Sequence, residues 1–431
     1  MAELSESSRW LYERWLAIAE RFSTEVALID AASERSWTFQ QLAAESEREV
    51  SPDSRIIYPS NHSPEFLFSV LSAWRNGKIT CPLDHGQAAL PEGELPEGGA
   101  HLKLTSATSG AAKCIVFRAT QLAADAENIV STMGLRPEWP NLGCISLAHS
   151  YGFSNLILPL VLHGVPLILV AAPLPQIIMR AALSFVGVTI PAVPALWRTW
   201  HAANSIPPNV KLAISAGAPL PLAIEEQVFR SRGLKIHNFY GSSECGGIAF
   251  DRSETPRADE TFAGTALDNV SLSMSESGTL VVEGQAVGEG YWPEAQPGLG
   301  SKRFATTDLA VITDGKVYLR GRLTDVINVA GRKAAPELIE AAIRTHPSVT
   351  DCVVFAVHDA AGDRFQTIAA CVNARTPLEV RELSRFLSQT LPSWQIPRRW
   401  WFTHELQPNE RGKISRAEWS KRFLEANSSE S

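Results

Sequence analysis

From Trp10 to Phe22, apolar residues recur three and four apart with Glu and Arg between them. That spacing predicts an amphipathic helix. The short apolar run Val26–Asp30 predicts a strand, and Ser36-Trp37-Thr38-Phe39 leads through Gln40-Gln41-Leu42 into a second helix. Arg55–Tyr58 predicts a further strand, Pro59–Gly77 a loop and helix, and Lys78–Asp84 another strand. Strand, helix and strand in this rhythm predict parallel βαβ construction, hence an α/β fold. Further along, Gln121–Met133 predicts a helix whose acidic residues near the start favour its dipole. Cys144–Phe153 predicts a strand running into a turn and helix, and Val165–Leu174 and Val186–Trp200 predict two βα units. The strand from Leu212 ends in small residues, and Leu280–Gly284 with its neighbours predicts short hairpins of a small barrel-like subdomain. Glu337–Ile343 predicts a helix. The runs Val353–Val357 and Ile368–Val372 then alternate with helix and predict a small α+β domain, with Trp394, Trp400 and Trp401 in its core.

Composition narrows the class. The chain has 431 residues, 45% hydrophobic and 20% charged, which is ordinary for a globular protein of more than one domain. A net charge of -7 argues against a nucleic-acid or anionic-membrane partner. The six cysteines are scattered without a C-x-x-C pair, so neither a disulfide framework nor a zinc site is expected. Residues Met1–Glu6 are acidic and polar, unlike a secretory signal, and the expected location is cytoplasmic. The apolar run Leu156–Ala172 is broken by Pro159, His163, Gly164 and Pro166 and reads as buried core, not as a membrane span. Gln87–Gly99, rich in Pro, Glu and Gly, reads as a surface loop, and residues 426–431 as a disordered tail.

The candidate chemistry centres on Leu104–Lys113. Thr105, Ser106, Thr108, Ser109, Gly110 and Lys113 crowd hydroxyls, a glycine and an ammonium into one loop after an apolar-polar strand start. Small residues let the backbone approach an anion, and hydroxyls and N–H groups donate to phosphate oxygens. The spacing is not that of a Walker loop. The stretch resembles the phosphate loop of the adenylate-forming enzymes: acyl-CoA synthetases, luciferases and the adenylation domains of nonribosomal peptide synthetases. Ala107 and Ala112 stand where the family has Gly and Pro, and Cys114 where it has Gly. Four further segments resemble the family in order. Gly217-Ala218-Pro219 matches the strand end where adenine packs. Asn238-Phe239-Tyr240-Gly241-Ser242-Ser243-Glu244 matches its Tyr-Gly-x-Thr-Glu, with Ser243 in place of Thr. Thr306-Thr307-Asp308 and Gly321-Arg322-Leu323-Thr324-Asp325 match the ribose and hinge motifs, and Gly412-Lys413-Ile414-Ser415-Arg416 the terminal one. Thr307 and Thr324 are departures.

The resemblance implies roles. The loop holds the departing phosphates, an aromatic at 239–240 stacks on adenine, and Ser243 meets the α-phosphate. Glu244 holds Mg²⁺, a hard cation that takes oxygen ligands. Asp308 and Arg322 fix the ribose, and Lys413 bridges the substrate carboxylate and the phosphate. His149, Tyr151, Phe153, Cys245, Gly246 and Gly247 are candidates for the acid pocket. Small residues there with aromatics opposite suggest an aryl or medium-length acyl group, and the lack of an acidic residue in the His149 segment counts against amino acids. The implied organisation is an ATP- and acid-binding domain at 1–321 and a mobile lysine-bearing domain at 322–425, pivoting at Leu323, Thr324 and Asp325. The implied reaction joins a carboxylic acid to ATP as an acyl-adenylate, then to the thiol of coenzyme A or of a carrier-protein phosphopantetheine. The length expects a stand-alone ligase. The alternative is a member that binds nucleotide without catalysis, to which the substitutions at 107, 112, 307 and 324 would point.

Overall fold

The computed structural model describes residues 7–84, 87–90, 97–104, 114–294, 296–329, 331–358, 366–406 and 414–428. The chain packs as two compact units. One comprises Met1–Ser273, Val281–Thr306 and Thr313–Val317; the other comprises Met274–Leu280, Thr307–Ile312 and Tyr318–Ser431. The division falls inside hairpin strands, and Asp308 belongs to the same unit as Arg322.

The first unit opens on the helix Ser8–Arg21, which buries Leu11, Tyr12, Trp15 and Ala19 at the expected spacing. Strand β1 (Val26–Asp30) pairs antiparallel with β2 (Arg35–Thr38). Thr38 then starts the helix Phe39–Arg48 with a reciprocal cap: Gln41 N–H donates to Thr38 Oγ1 at 3.2 Å, and Thr38 N–H donates to Gln41 Oε1 at 2.9 Å. A first, small sheet holds β3 (Ile56–Ile57), β4 (Ile79–Thr80), β5 (His101–Leu104), β6 (Cys114–Phe117) and the strand Gly290–Trp292. The pair β3–β4 is parallel across the helix Pro64–Arg75, as the βαβ pattern predicts.

The large sheet carries β7 (Asn141–Gly143), β8 (Leu167–Leu169), β9 (Val188–Ala192), β10 (Val210–Ser215), β11 (Ile236–Ser242), β12 (Gly246–Phe250) and β13 (Phe262–Ala266), with β1 and β2 at its far edge. Strands β7 to β11 run parallel, β12 runs antiparallel to β11, and β13 antiparallel to β12. All five residues of β9 and all three of β8 are buried, the signature of strands covered on both faces. The run 156–172 belongs to this core, as expected, and no described helix is long and apolar enough to cross a membrane.

Two expectations change here. The strand read at Cys144–Phe153 is instead β7, which ends at Gly143, and residues 144–149 form a loop. The helix read at Gln121–Met133 starts at Ala119 and carries no acid in its first turn. Its Asp125 faces inward and is 2% exposed.

The second unit pairs Val349–His358 antiparallel with Gln366–Ala374, which lies parallel to Arg399–Phe402. Alternate residues serve two cores. Val354, Ile368, Ala370 and Val372 pack with the helix Pro336–Arg344, while Val353, Phe355, Ala369 and Cys371 pack with Trp419 and Phe423 of the last helix. A strand pair buried on both faces follows from this period of two. Trp394, Trp400 and Trp401 pack against these cores, as read from sequence. The last helix runs Arg416–Ser428, so residues 426–428 are helical where a disordered tail was expected.

Candidate active site

In an open parallel sheet the crevice for a ligand lies beyond the carboxyl ends of the strands. Ser215 of β10 pairs with Asn238 of β11. That register sets Gly217-Ala218-Pro219 alongside Tyr240-Gly241, two residues farther on each chain. Gly217 and Pro219 are exposed, and Ala218 and Tyr240 are half-buried. The turn after β10 thus offers small residues and β11 an aromatic, a pairing suited to form a slot for a flat ring. Phe239 points the other way. It is 6% exposed and packs near Tyr151 at 5.9 Å between ring centroids, so it serves the core and not the nucleotide face. Strand alternation forces this choice between Phe239 and Tyr240. Asn238 anchors the neighbouring strand by donating from Nδ2 to Phe262 O at 3.1 Å.

Past Tyr240 the register of β11 and β12 slips, and Gly241 lies so close to Gly246 that a Cβ would stand 2.6 Å from its carbonyl oxygen. The bulge re-aims the chain, and the following turn carries Ser243 and Glu244, both half-buried. Ser242 Oγ accepts from Glu244 N–H at 3.2 Å and lies 3.2 Å from Cys245 Sγ. Tyr291 donates its hydroxyl to Glu244 Oε1 at 3.0 Å. Burial, with the nearby carboxylate second, pushes the Tyr291 phenol up and keeps it a donor. No cluster of three or more His, Cys, Asp or Glu stands among the described residues. A Mg²⁺ ion here would thus take one protein carboxylate and draw its other oxygens from phosphate and water, an arrangement usual for this ion.

Cys245, Gly246 and Gly247, candidates for the acid pocket, are all buried. Leu267 and Phe239 fill the space beside Gly247, and Asp125 fills that beside Gly246. Its Oδ1 accepts from Gly247 N–H at 3.0 Å, and a Cβ on Gly246 (φ +68°) would stand 2.1 Å from that oxygen. Gly246→Ala is therefore expected to destabilise the protein by at least about 1–2 kcal/mol. Urea unfolding checks this, and a variant as stable as the parent would refute it.

His149 and Tyr151 lie at the same end of the sheet. Tyr151 donates its hydroxyl to Ala192 O at 3.5 Å, at the carboxyl end of β9, and burial raises its phenol well above the usual range. Phe153 is 1% exposed and stacks on His101 at 4.3 Å, so it is core and not pocket wall. The His149 segment carries no acid of its own. The fold brings Asp84 to it, with Oδ2 at 2.8 Å from His149 Nε2 and Oδ1 accepting from Ser146 Oγ at 3.1 Å. Sequence reasoning passed over Asp84, although it closes the strand segment Pro82-Leu83-Asp84.

In the second unit Arg322 Nε pairs with Asp308 Oδ1 at 3.1 Å. The pair joins the two residues assigned to the ribose. Leu323–Asp325 form one short helical turn, with Leu323 and Thr324 exposed. Asp325 is tied to Arg416 of the terminal motif, which also pairs with Glu337 at 3.1 Å and Glu340 at 2.9 Å and donates to Val354 O at 2.7 Å. Burial opposes its charge, but the carboxylates, Glu340 first, push the guanidinium further up. Thr105–Lys113 and Lys413 lie outside the described residues.

Comparison with known proteins bears on the family and the fold. The AMP-binding enzyme family model matches residues 88–292, and that for the AMP-binding enzyme C-terminal domain matches 338–413. Together they cover about two thirds of the chain. An anthranilate–CoA ligase of Pseudomonas aeruginosa is 28% identical over 57% of this chain and 51% of its own, so this chain spans about half of that relative. A probable 2-succinylbenzoate–CoA ligase of Mycobacterium tuberculosis is 26% identical over 80% of this chain and 91% of its own. The fold matches that of o-succinylbenzoate CoA synthetase from Bacillus subtilis in complex with its acyl-adenylate intermediate. The TM-score is 0.80, at 18% identity, over 94% of this chain and 97% of that one.

Proposed function

The chain belongs to the AMP-binding enzyme family, and we propose that it activates an aryl or medium-length acyl carboxylic acid as the acyl-adenylate and passes the acyl group to a thiol. The observation that carries this reading is Glu244, held by Tyr291 in the turn after β11. A carboxylate is a poor acyl donor until one of its oxygens carries a good leaving group. Attack of that oxygen on the α-phosphorus of ATP forms the new P–O bond and releases pyrophosphate. Attack of a thiol on the acyl carbon then forms the thioester and releases AMP.

The protein's share is positioning and charge neutralisation. The slot between Gly217–Pro219 and Tyr240 holds the base. Asp308, steadied by Arg322, fixes the ribose. Ser243 and the loop Thr105–Lys113 hold phosphate oxygens. Glu244 would bind Mg²⁺, which supplies positive charge against the phosphates when present. Lys413 bridges the carboxylate and phosphate oxygens, two groups that otherwise repel. His149, braced by Asp84, and Tyr151 border the acid. The thiol acceptor is coenzyme A or the phosphopantetheine of a carrier protein, and the names of the relatives favour coenzyme A.

ATP–pyrophosphate exchange with Mg²⁺, run against aryl, aminoaryl, short, medium and long-chain acids, tests this. Exchange with one class is expected. Lys413→Ala should lower it by about 3–4 kcal/mol of barrier, or 10²–10³-fold. ATP binding with no exchange across the panel would instead make this a nucleotide-binding member without catalysis.

A further inference from the structure

Lys103 has no part in the chemistry above. It lies on β5 opposite Ile115, its side chain is 5% exposed, and its Nζ makes no hydrogen bond among the described residues. The ammonium sits 4.3 Å from the Phe117 ring centroid and 3.9 Å from Asp125 Oδ2. A buried ammonium held this loosely costs stability relative to a methionine or leucine. Its partner, however, is a junction. Asp125 Oδ2 accepts from Ser154 Oγ at 2.5 Å, and Oδ1 accepts from Gly247 N–H at 3.0 Å. Ser154 lies in the wide turn Phe153–Ile157, three residues past Tyr151. Gly246 and Gly247 follow Glu244 with only Cys245 between, and Gly246 is pressed against the same carboxylate. Four segments thus meet at one charge: β5, the helix Ala119–Met133, the turn after Tyr151, and the turn that bears Glu244.

We propose that the buried Lys103–Asp125 pair is a positioning device that sets the Glu244 turn for Mg²⁺ and ATP. Asp125 draws in the Gly246-Gly247 backbone, and Lys103 holds Asp125 in place. Both residues act through Glu244, so the proposal rests on the reading of that residue as the metal-bearing carboxylate.

The test is calorimetric titration of ATP into the full chain at a series of Mg²⁺ concentrations, alongside thermal unfolding. It needs no acid substrate. Its failure is therefore separate from failure of the adenylation reading, which the exchange assay decides. Asp125→Asn keeps the size and an acceptor but removes the charge. It is expected to raise the half-saturating Mg²⁺ about tenfold, as loss of a partner behind a metal ligand does. Lys103→Met with Asp125→Asn leaves no lone buried charge, so it removes the pair without leaving an unpaired ammonium, and it is expected to stay about as impaired as the single variant. An unchanged Mg²⁺ requirement in Asp125→Asn, with or without a lower melting temperature, would overturn the proposal. So would a double variant that folds and needs no more Mg²⁺ than the parent. Should Asp125→Asn not fold, the double variant decides by the same criterion.

Discussion

Lys235→Met is expected to cost about 3–5 kcal/mol of stability, the usual penalty for removing one partner of a buried ion network. Lys235 is 6% exposed and lies between two carboxylates that are fully buried, Glu225 and Asp251. Its Nζ donates to Asp251 Oδ2 at 2.6 Å and also to Glu225. Glu225 has a second cation, since Arg257 Nε donates to its Oε2 at 2.8 Å. Asp251 has no such reserve and would keep its two bonds from Ser253. The network closes the base of β11 and β12, the strands that deliver Tyr240 and Glu244.

The deficit should depend on pH. Burial raises the Asp251 carboxyl, but Lys235 and Ser253 outweigh it and hold the group below its ordinary value of 3.8. A group depressed in the folded state contributes its stability above the unfolded value and loses it as pH falls through the folded one. The gap between parent and variant should therefore be full at pH 7 and narrow below about pH 4. Urea midpoints at pH 7, 5 and 3.5 measure it. A gap under about 1 kcal/mol, the level of an exposed pair, would show that the network is no buried anchor.

Glu244→Gln should lower ATP–pyrophosphate exchange at least about 10²-fold, or roughly 3 kcal/mol of barrier. Glutamine keeps an oxygen to accept from Tyr291, so the turn and the melting temperature should hold. What disappears is the negative charge that a hard cation requires. An exchange rate within tenfold of the parent would remove Glu244 from the metal's ligand set. Added Mg²⁺ should recover part of the loss, because a weaker site fills at higher concentration.

The pattern along the chain was enough for much of the architecture. Apolar runs in β8 and β9 can only be strands covered on both sides. The cap at Thr38, the Pro at the start of Pro64–Arg75 and the period of two in Val349–His358 are local signals, and local energetics suffices to read them. The motif order was equally legible, and it led to Glu244, Asp308 and Arg322. Thr105–Lys113 and Lys413 stand on that resemblance alone.

Contacts between remote segments were not legible. Asp125 looked like an acid near a helix start, yet it is the inward charge that fills the space beside Gly246. His149 looked like a lone histidine until Asp84 arrived from another strand end. Phe239 and Tyr240 were equivalent as aromatics, and the sheet's two faces separated them. Side-chain type and spacing carry what a residue can do within one turn or one strand. Which charge meets which is settled when the chain packs, because a buried group must find its partner wherever the fold places one.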